Sequence, residues 1–436
     1  MSHNLFTLKL VLTLEMNNKM KFLMRFMALV LPLLFAANLK AAEIEIYYVG
    51  NLNGAIEPCG CSETGLLGGL QRHAVLFSTI NREQSLLLSN GGLVDNSAST
   101  EQIKADYIFE GMNKLGYDAI ALQPSDSSFG SALMRTEALP WVSSNLQLKQ
   151  IPTSLHKEVN TVPVNIYTLA KVDADDASNS MSEIQLRPQP SVATKQGLNI
   201  LLTSYHIKRV PADFDLSPYH VVIYNHRLEE GAEPIQVDGQ IRLGPGIKGM
   251  YVGLLKGEWT NGLFKMTGHD FIKMDAAYDQ SNALQGWYQQ YQDDLKVEYN
   301  EKVALRKTID SGQAEYQGSQ ACKTCHVSAY EKWTGSRHGS AFETLSRVEK
   351  QFDPSCIKCH VVGYNQSGGY LDEYITPHLQ GVGCESCHGP GRDHIKTLGK
   401  TAMAPKSDFP DKCMSCHQRG HSPNFDYEVY FKKIAH

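Results

Sequence analysis

Cysteine is missing from the long middle of the chain: after Cys59 and Cys61 none follows until Cys322, and eight lie from there to Cys416. A disulfide framework is therefore excluded for residues 62–321, which must be held by an ordinary core. An excess of charge of one sign is absent too. With 41 Lys and Arg against 46 Asp and Glu, the net charge is −5, so neither nucleic acid nor an anionic bilayer is indicated as a partner. Long apolar runs are scarce. The best one, Phe26–Ala37, is shorter than the ~20 residues of a spanning helix. It follows Met20-Lys21 and Arg25 and precedes Ala41-Ala42, the order of an export signal over residues 1–42, with residues 1–15 as an upstream extension. The mature protein is then expected in the periplasm, with an uncleaved anchor here as its only route to a membrane.

What is present divides the chain. From 43 to 275 short apolar runs read as buried strands: Ile44–Val49, Leu86–Leu88, Ala119–Leu122, Leu198–Leu202 and Val221–Tyr224, with a helix-like stretch at Ala105–Leu115. Ile241–Trp259 alternates and is studded with glycine, as antiparallel strands at a sheet edge would be, and 173–192 reads as a surface loop. Over 276–308, Leu284, Trp287, Tyr291, Leu295 and Tyr299 recur at spacings of three and four. That is one helical stripe, expected to pack on one of two domains. After Gly312 aliphatics thin out while Cys and His become dense, so a conventional core is excluded there.

Cys-x-x-Cys-His occurs four times in that last part: Cys322/Cys325/His326, Cys356/Cys359/His360, Cys384/Cys387/His388 and Cys413/Cys416/His417. Two thiols at this spacing can form thioethers with the two vinyl groups of a haem, and the adjacent His can bind its iron. Paired Cys-x-x-Cys motifs also hold zinc, but zinc leaves the recurrent His unexplained, and unprotected zinc thiolates suit an oxidising compartment poorly. The reading is four covalently bound haem c groups. A second axial ligand is then needed for each six-coordinate iron. His338, His378, His394, His421 and His436 are available here, while methionine is limited to Met403 and Met414, which favours bis-His ligation.

Tyr316–His326 with Tyr330, Trp333, Ser336 and His338, then Gly381–Gly391 with His394, then Asn424–Tyr427 and Lys433–His436, together resemble the cytochrome c-554/c-prime family of multihaem cytochromes. The resemblance spans about 314–436. It implies that His338, His394 and His436 supply distal ligands, usually to a haem other than the nearest in sequence. For the fourth, His378 is preferred over His421, unless one haem is five-coordinate.

The N-terminal part resembles a different family. Tyr47–Gly54, Gly68–Arg72, Ser85–Asp95 and Leu115–Leu122 are similar to the 5′-nucleotidase branch of calcineurin-like metallophosphoesterases, whose Asp and His side chains hold two metal ions. This chain departs from that pattern at the ligand positions. Asp-x-His has become Asn51-Leu52-Asn53, Gly-Asp has become Gly91-Gly92, and the Asn-His stretch reads Gln123-Pro124-Ser125-Asp126. Neutral side chains cannot bridge two cations, so phosphoester hydrolysis is not expected although the fold can persist. Glu57-Pro58-Cys59-Gly60-Cys61 matches a subgroup of exported phosphoesterase-like proteins with a Cys-Gly-Cys near the first strand. Cys59 and Cys61 could be a redox dithiol, a metal or haem-edge contact, or a tight local disulfide.

The expected fold class is therefore α/β + α. A metallophosphoesterase-like α/β sandwich over 43–275 is joined by a connecting helix over 276–308 to a mainly helical tetrahaem module, low in secondary structure, over 309–436. The expected role is electron transfer between respiratory redox proteins such as a cytochrome, an oxidase or a reductase. The rival is reduction of a small nitrogen or sulfur compound at an open haem or at Cys59/Cys61.

Overall fold

The computed structural model describes residues 41–58, 66–94, 102–127, 139–148, 150–172, 185–186, 196–309, 314–418, 422 and 424–436. The export-signal segment up to 40, Cys59, Cys61, His421 and most of the loop expected at 173–192 lie outside them. Strand β1 begins at Ala42, inside the region read as the cleavage site. Among the described residues no helix is long and apolar enough to cross a membrane.

Two six-stranded sheets make up the N-terminal part. In the first, β1 (Ala42–Val49), β2 (Ser85–Ser89), β3 (Ala119–Ala121) and β4 (Trp141–Val142) run parallel, and β13 (Tyr251–Thr260) and β14 (Leu263–Lys273) add an antiparallel ribbon beside β1. In the second, β7 (Val162–Leu169), β9 (Leu198–Thr203), β10 (Val221–Tyr224) and β12 (Gln240–Gly244) are parallel. Strands β6 (Leu155–Val159) and β11 (Ala232–Val237) flank them antiparallel. A small third pair joins β5 (Leu146–Gln147) to β8 (Gln185–Leu186). The stretch 241–259 thus contributes one strand to each large sheet.

The continuous apolar runs follow from burial on both faces. Ile44, Ile46 and Tyr48 of β1 point between the sheets, against Val164, Ile166, Ile200 and Ile223. Tyr47 and Val49 point the other way, toward the helices α1 (Leu70–Phe77) and α2 (Gln102–Leu115). Gly253 opposes Tyr48 across the β1–β13 ladder, and a Cβ there would stand 2.2 Å from the tyrosine ring. On α1, His73 is fully buried with Nε2 2.8 Å from the Gly249 carbonyl, and burial lowers its pKa to about 4, so the ring is neutral.

Helix α3 (Gln285–Ile309) joins the two parts. It starts at Gln285 and not at 276, because Asp275 caps a separate turn at Ala276–Tyr278 and the Asn282 side chain accepts from Leu284 N. Its stripe also serves both domains instead of one. Leu284, Trp287, Tyr291 and Leu295 enter the core beside α2. Further along, Tyr299 and Val303 pack with Leu345, Ile357 and Leu371 of the C-terminal part, and the Tyr299 hydroxyl donates to the Leu371 carbonyl at 2.9 Å. A second tie lies beside it: Lys350 Nζ bonds Glu57 Oε1 at 2.5 Å and Gln292 Oε1 at 2.7 Å.

From 314 onward the elements are short helices and turns, and the one β contact among the described residues is the bridge Val361–Gln380. Apolar clusters there are small, centred on Ile357 and Leu371 and on Phe342 and Tyr370.

Tyr291 is 1% exposed, and truncating a buried aromatic costs about 3–5 kcal/mol. Tyr291→Ala should lower the urea midpoint followed by circular dichroism by a corresponding amount. An unchanged midpoint would mean that α3 does not help hold the sandwich.

Candidate haem centres

Three of the four motifs put their cysteine pair on one short helix: Pro354–His360, Cys384–His388 and Phe409–Cys416. In the first motif Cys322 ends the helix Ser319–Cys322, and His326 stands just before Val327–Thr334. Residues three apart on a helix share a face, so in these three motifs the pair of thiols is presented together. The eight described cysteines are all free thiols. Thiols of different motifs also meet. Cys322 is hydrogen-bonded to Cys384, which raises the first and lowers the second, and Cys359 and Cys416 behave in the same way. The first motif therefore abuts the third, and the second abuts the fourth.

The histidines pair across the sequence. The His326 ring lies 6.3 Å from that of His394, His417 is 6.1 Å from His338, and His388 is 5.9 Å from His436, measured between ring centroids. In each pair one ring belongs to a motif and the other does not. Two metal–nitrogen bonds of about 2 Å each, plus the reach from nitrogen to ring centre, separate the centroids of two axial imidazoles by about 6 Å. The spacing thus fits an iron between the rings of each pair.

Backbone and hydroxyl oxygens hold several rings by their other nitrogen. His360 Nδ1 is 2.7 Å from Ala341 O, His394 Nδ1 2.7 Å from Thr401 O, His436 Nδ1 3.0 Å from Ile434 O, and His417 Nδ1 2.9 Å from Ser422 Oγ. Such a bond fixes the ring and leaves Nε2 for a metal. Burial lowers the pKa of His338 and of His417, and each shift adds to the neutral form a ligand needs.

His360 is different. Among the described residues no second imidazole faces it as in the other three pairs. His378, expected as the fourth distal ligand, is exposed on the turn Pro377–Leu379, and its carbonyl and ring edge lie against Gly318. The residues that follow it, Leu379 and Gly381, bond Val362 and His360 at the end of the second motif.

One buried carboxylate organises the module. Glu385, 3% exposed, accepts from the backbone N–H groups of Gln317, Gly318 and Gly391 at 2.7–3.0 Å. It ties the segment before the first motif to the Gly389-Pro390-Gly391 turn after the third. Nothing in the spacing of the motifs reveals this role, since Glu385 reads there as one of the two residues between cysteines.

The positions at which the phosphoesterase resemblance implies a dinuclear metal site are clustered but unsuited to metal. Asn51 and Gln123 bond each other through paired carboxamides at 3.1 and 3.3 Å. Gly92 has a left-handed φ of 61°, and a Cβ there would meet the Asn51 amide at 2.5 Å, so a carboxylate side chain has no room. Asp126 is fully buried and turned inward, accepting from Gly92, Leu93 and Gln123 N. Burial pushes its pKa up to about 6 against the pull of those N–H groups. No group of three or more His, Cys, Asp or Glu able to hold a metal ion is present among the described residues.

Residues 321–389 match the model of the Cytochrome c554 and c-prime family. Over 147 residues, 25% of this chain, the sequence is 34% identical to cytochrome c-554 of Nitrosomonas europaea, of which it spans 63%. The N-terminal part is similar in architecture to a 5′-nucleotidase precursor of Thermus thermophilus, with TM-score 0.49 and 13% identity over 64% of this chain and 61% of that one. A calcineurin-like phosphoesterase of Bacillus subtilis gives TM-score 0.43 and 17% identity over 58% of this chain and 98% of that one. The fold of this part rests on the sheet topology itself.

Removing the Glu385 carboxylate would orphan buried donors, each costing about 1–3 kcal/mol. Glu385→Ala should therefore destabilise the haem-bearing module by at least ~2 kcal/mol in a thermal melt followed at the Soret band. Glu385→Gln, which keeps one acceptor oxygen, should fall between that variant and the parent.

Proposed function

We propose that the chain is a periplasmic c-type cytochrome that carries electrons between redox partner proteins through four covalently attached haems. The observation that carries this reading is the set of three imidazole pairs at about 6 Å, each joining a motif histidine to a distant one. Cys322 and Cys325, Cys356 and Cys359, Cys384 and Cys387, and Cys413 and Cys416 would hold the vinyl groups as thioethers. His326, His360, His388 and His417 would bind on the proximal side. His394, His436 and His338 would close the far side of the first, third and fourth centres. Bound haem supplies a one-electron iron couple.

The chain's own residues do the rest. At these three centres imidazoles on both sides would leave no position for a substrate, which favours transfer over catalysis. The contacts of Cys322 with Cys384 and of Cys359 with Cys416 bring attachment points of different centres together, as a closely spaced electron path requires. Similarity of the C-terminal segment to cytochrome c-554 supports the same reading.

A second reading is favoured by His360, which has no facing imidazole among the described residues. Its centre would accept a small ligand, which suits reduction of a small nitrogen or sulfur compound.

Coulometric titration of the purified protein, with carbon monoxide added to the reduced form, tests both readings. Four electrons taken up and returned reversibly per chain are expected of the carrier, and carbon monoxide altering the spectrum of one centre would favour the second reading. Fewer electrons would contradict the carrier of four haems. Four electrons with no response to carbon monoxide would remove the second reading.

A further inference from the structure

The first thiol of the second motif lies at the junction of the two parts of the molecule. Cys356 packs on the cluster formed by Tyr299 and Val303 of α3 with Leu345, Ile357 and Leu371. Phe352, four residues earlier, packs on this cluster and on the core of the sandwich as well. The helix that carries the motif starts just after it, capped by the buried Asp353.

A charged network stands beside this thiol, and its anion comes from the sandwich. Lys350 Nζ donates to Glu57 Oε1 at 2.5 Å, to Gln292 Oε1 at 2.7 Å and to the Tyr288 hydroxyl at 3.2 Å. Gln292 Nε2 also donates to Glu57 Oε1 at 2.7 Å. The Lys350 and Glu57 side chains are only 14% and 22% exposed, so solvent screens them less than a surface pair. Both charges reach Cys356. Burial first, and then Asp353, raise the pKa of its thiol to about 12; Ser355 opposes this, after which Glu57 raises it and Lys350 lowers it. Tyr288 is raised by burial and then by Glu57, with Asp353 and Cys356 adding to the effect. Two charges from different parts of the chain thus act with opposite sign on one point of the second motif.

Ferric iron carries one positive charge more than ferrous iron, so a fixed charge nearby shifts the balance between them. A haem attached at Cys356 and Cys359 would stand beside the Glu57–Lys350 pair. We propose that this pair sets the potential of the second centre, which makes the N-terminal sandwich a tuning element for one haem. The inference rests on the reading of four attached haems. Glu57 favours the oxidised iron and Lys350 the reduced one, while Gln292 and Tyr288 hold the two side chains in place. The electron path is unchanged by the pair; what changes is the driving force for entering and leaving one of its sites.

Spectroelectrochemical titration of the full haem-loaded protein, with haem counted by pyridine haemochrome, tests this in Glu57→Gln, Lys350→Met and the double variant. Glu57→Gln should raise the potential of one of the four components, and Lys350→Met should lower that same component. A unit charge about 10 Å away changes an equilibrium by on the order of tenfold at an effective dielectric of about 20, and partial exposure reduces this. The expected shift in the ratio of reduced to oxidised iron is therefore about threefold to tenfold, tenfold being about 59 mV for one electron. Lys350→Arg, which keeps the charge, and the double variant, which removes both, should stay near the parent. Should Lys350→Met fail to load its haems, Glu57→Gln decides alone: an upward shift supports the proposal, and no shift or a downward one overturns it. With four haems present, shifts of one sign in both single variants, or none in either, would overturn it too. Fewer than four haems in the parent protein would instead overturn the reading beneath it.

Discussion

Aliphatic burial cannot by itself hold residues 314–436 together. Their buried apolar side chains form two small clusters, around Ile357 and Leu371 and around Phe342 and Tyr370, and regular hydrogen-bonded structure is limited to short helices. What orders the segment is the requirement that imidazoles from distant positions face each other. His326 must meet His394, His388 must meet His436, and His417 must meet His338. The loops after the first and third motifs each carry one of these histidines, His338 and His394. The buried Glu385 and the carbonyl contacts of His360, His394 and His436 are the supports that make them repeatable. A metal bound at such sites contributes folding free energy as well as chemistry, which accounts for a module with so little conventional core.

The N-terminal sandwich meets the opposite situation. It has an ample core on both faces of its first sheet, so it does not depend on any cofactor and could lose metal-binding residues without losing its fold. Helix α3 couples the two regimes. Its first half is an ordinary core helix of the sandwich, and its second half supplies Tyr299 and Val303 to the other module. The Lys350–Glu57 pair closes the same junction from the side.

Much of this was legible in the residues. Strands buried on both faces leave continuous apolar runs, and Ile44–Val49, Leu198–Leu202 and Val221–Tyr224 are strands in the structure. The motifs marked their own attachment chemistry. Other features were hidden for physical reasons. The pairing of His326 with His394 crosses the chain, and no local pattern encodes it. His378 reads like any other histidine of its segment, yet its surroundings place it against Gly318. Helix α3 could be seen as one stripe, but only packing shows that the stripe changes partner between Leu295 and Tyr299. Its start was obscured because Tyr278 and Leu284 continue the apolar spacing while Asp275 and Asn282 break the helix. Lys171 and Arg227 follow different strands, and only the fold brings them to one cavity.

The central claim is that chain-held imidazoles, paired at three centres among the described residues, define what this protein does. A low-temperature electron paramagnetic resonance spectrum of the oxidised protein, with haem quantified by pyridine haemochrome on the same sample, tests it most directly. The account predicts four haems per chain, at least three of them low-spin. Fewer than four haems, or more than one high-spin centre, would contradict it.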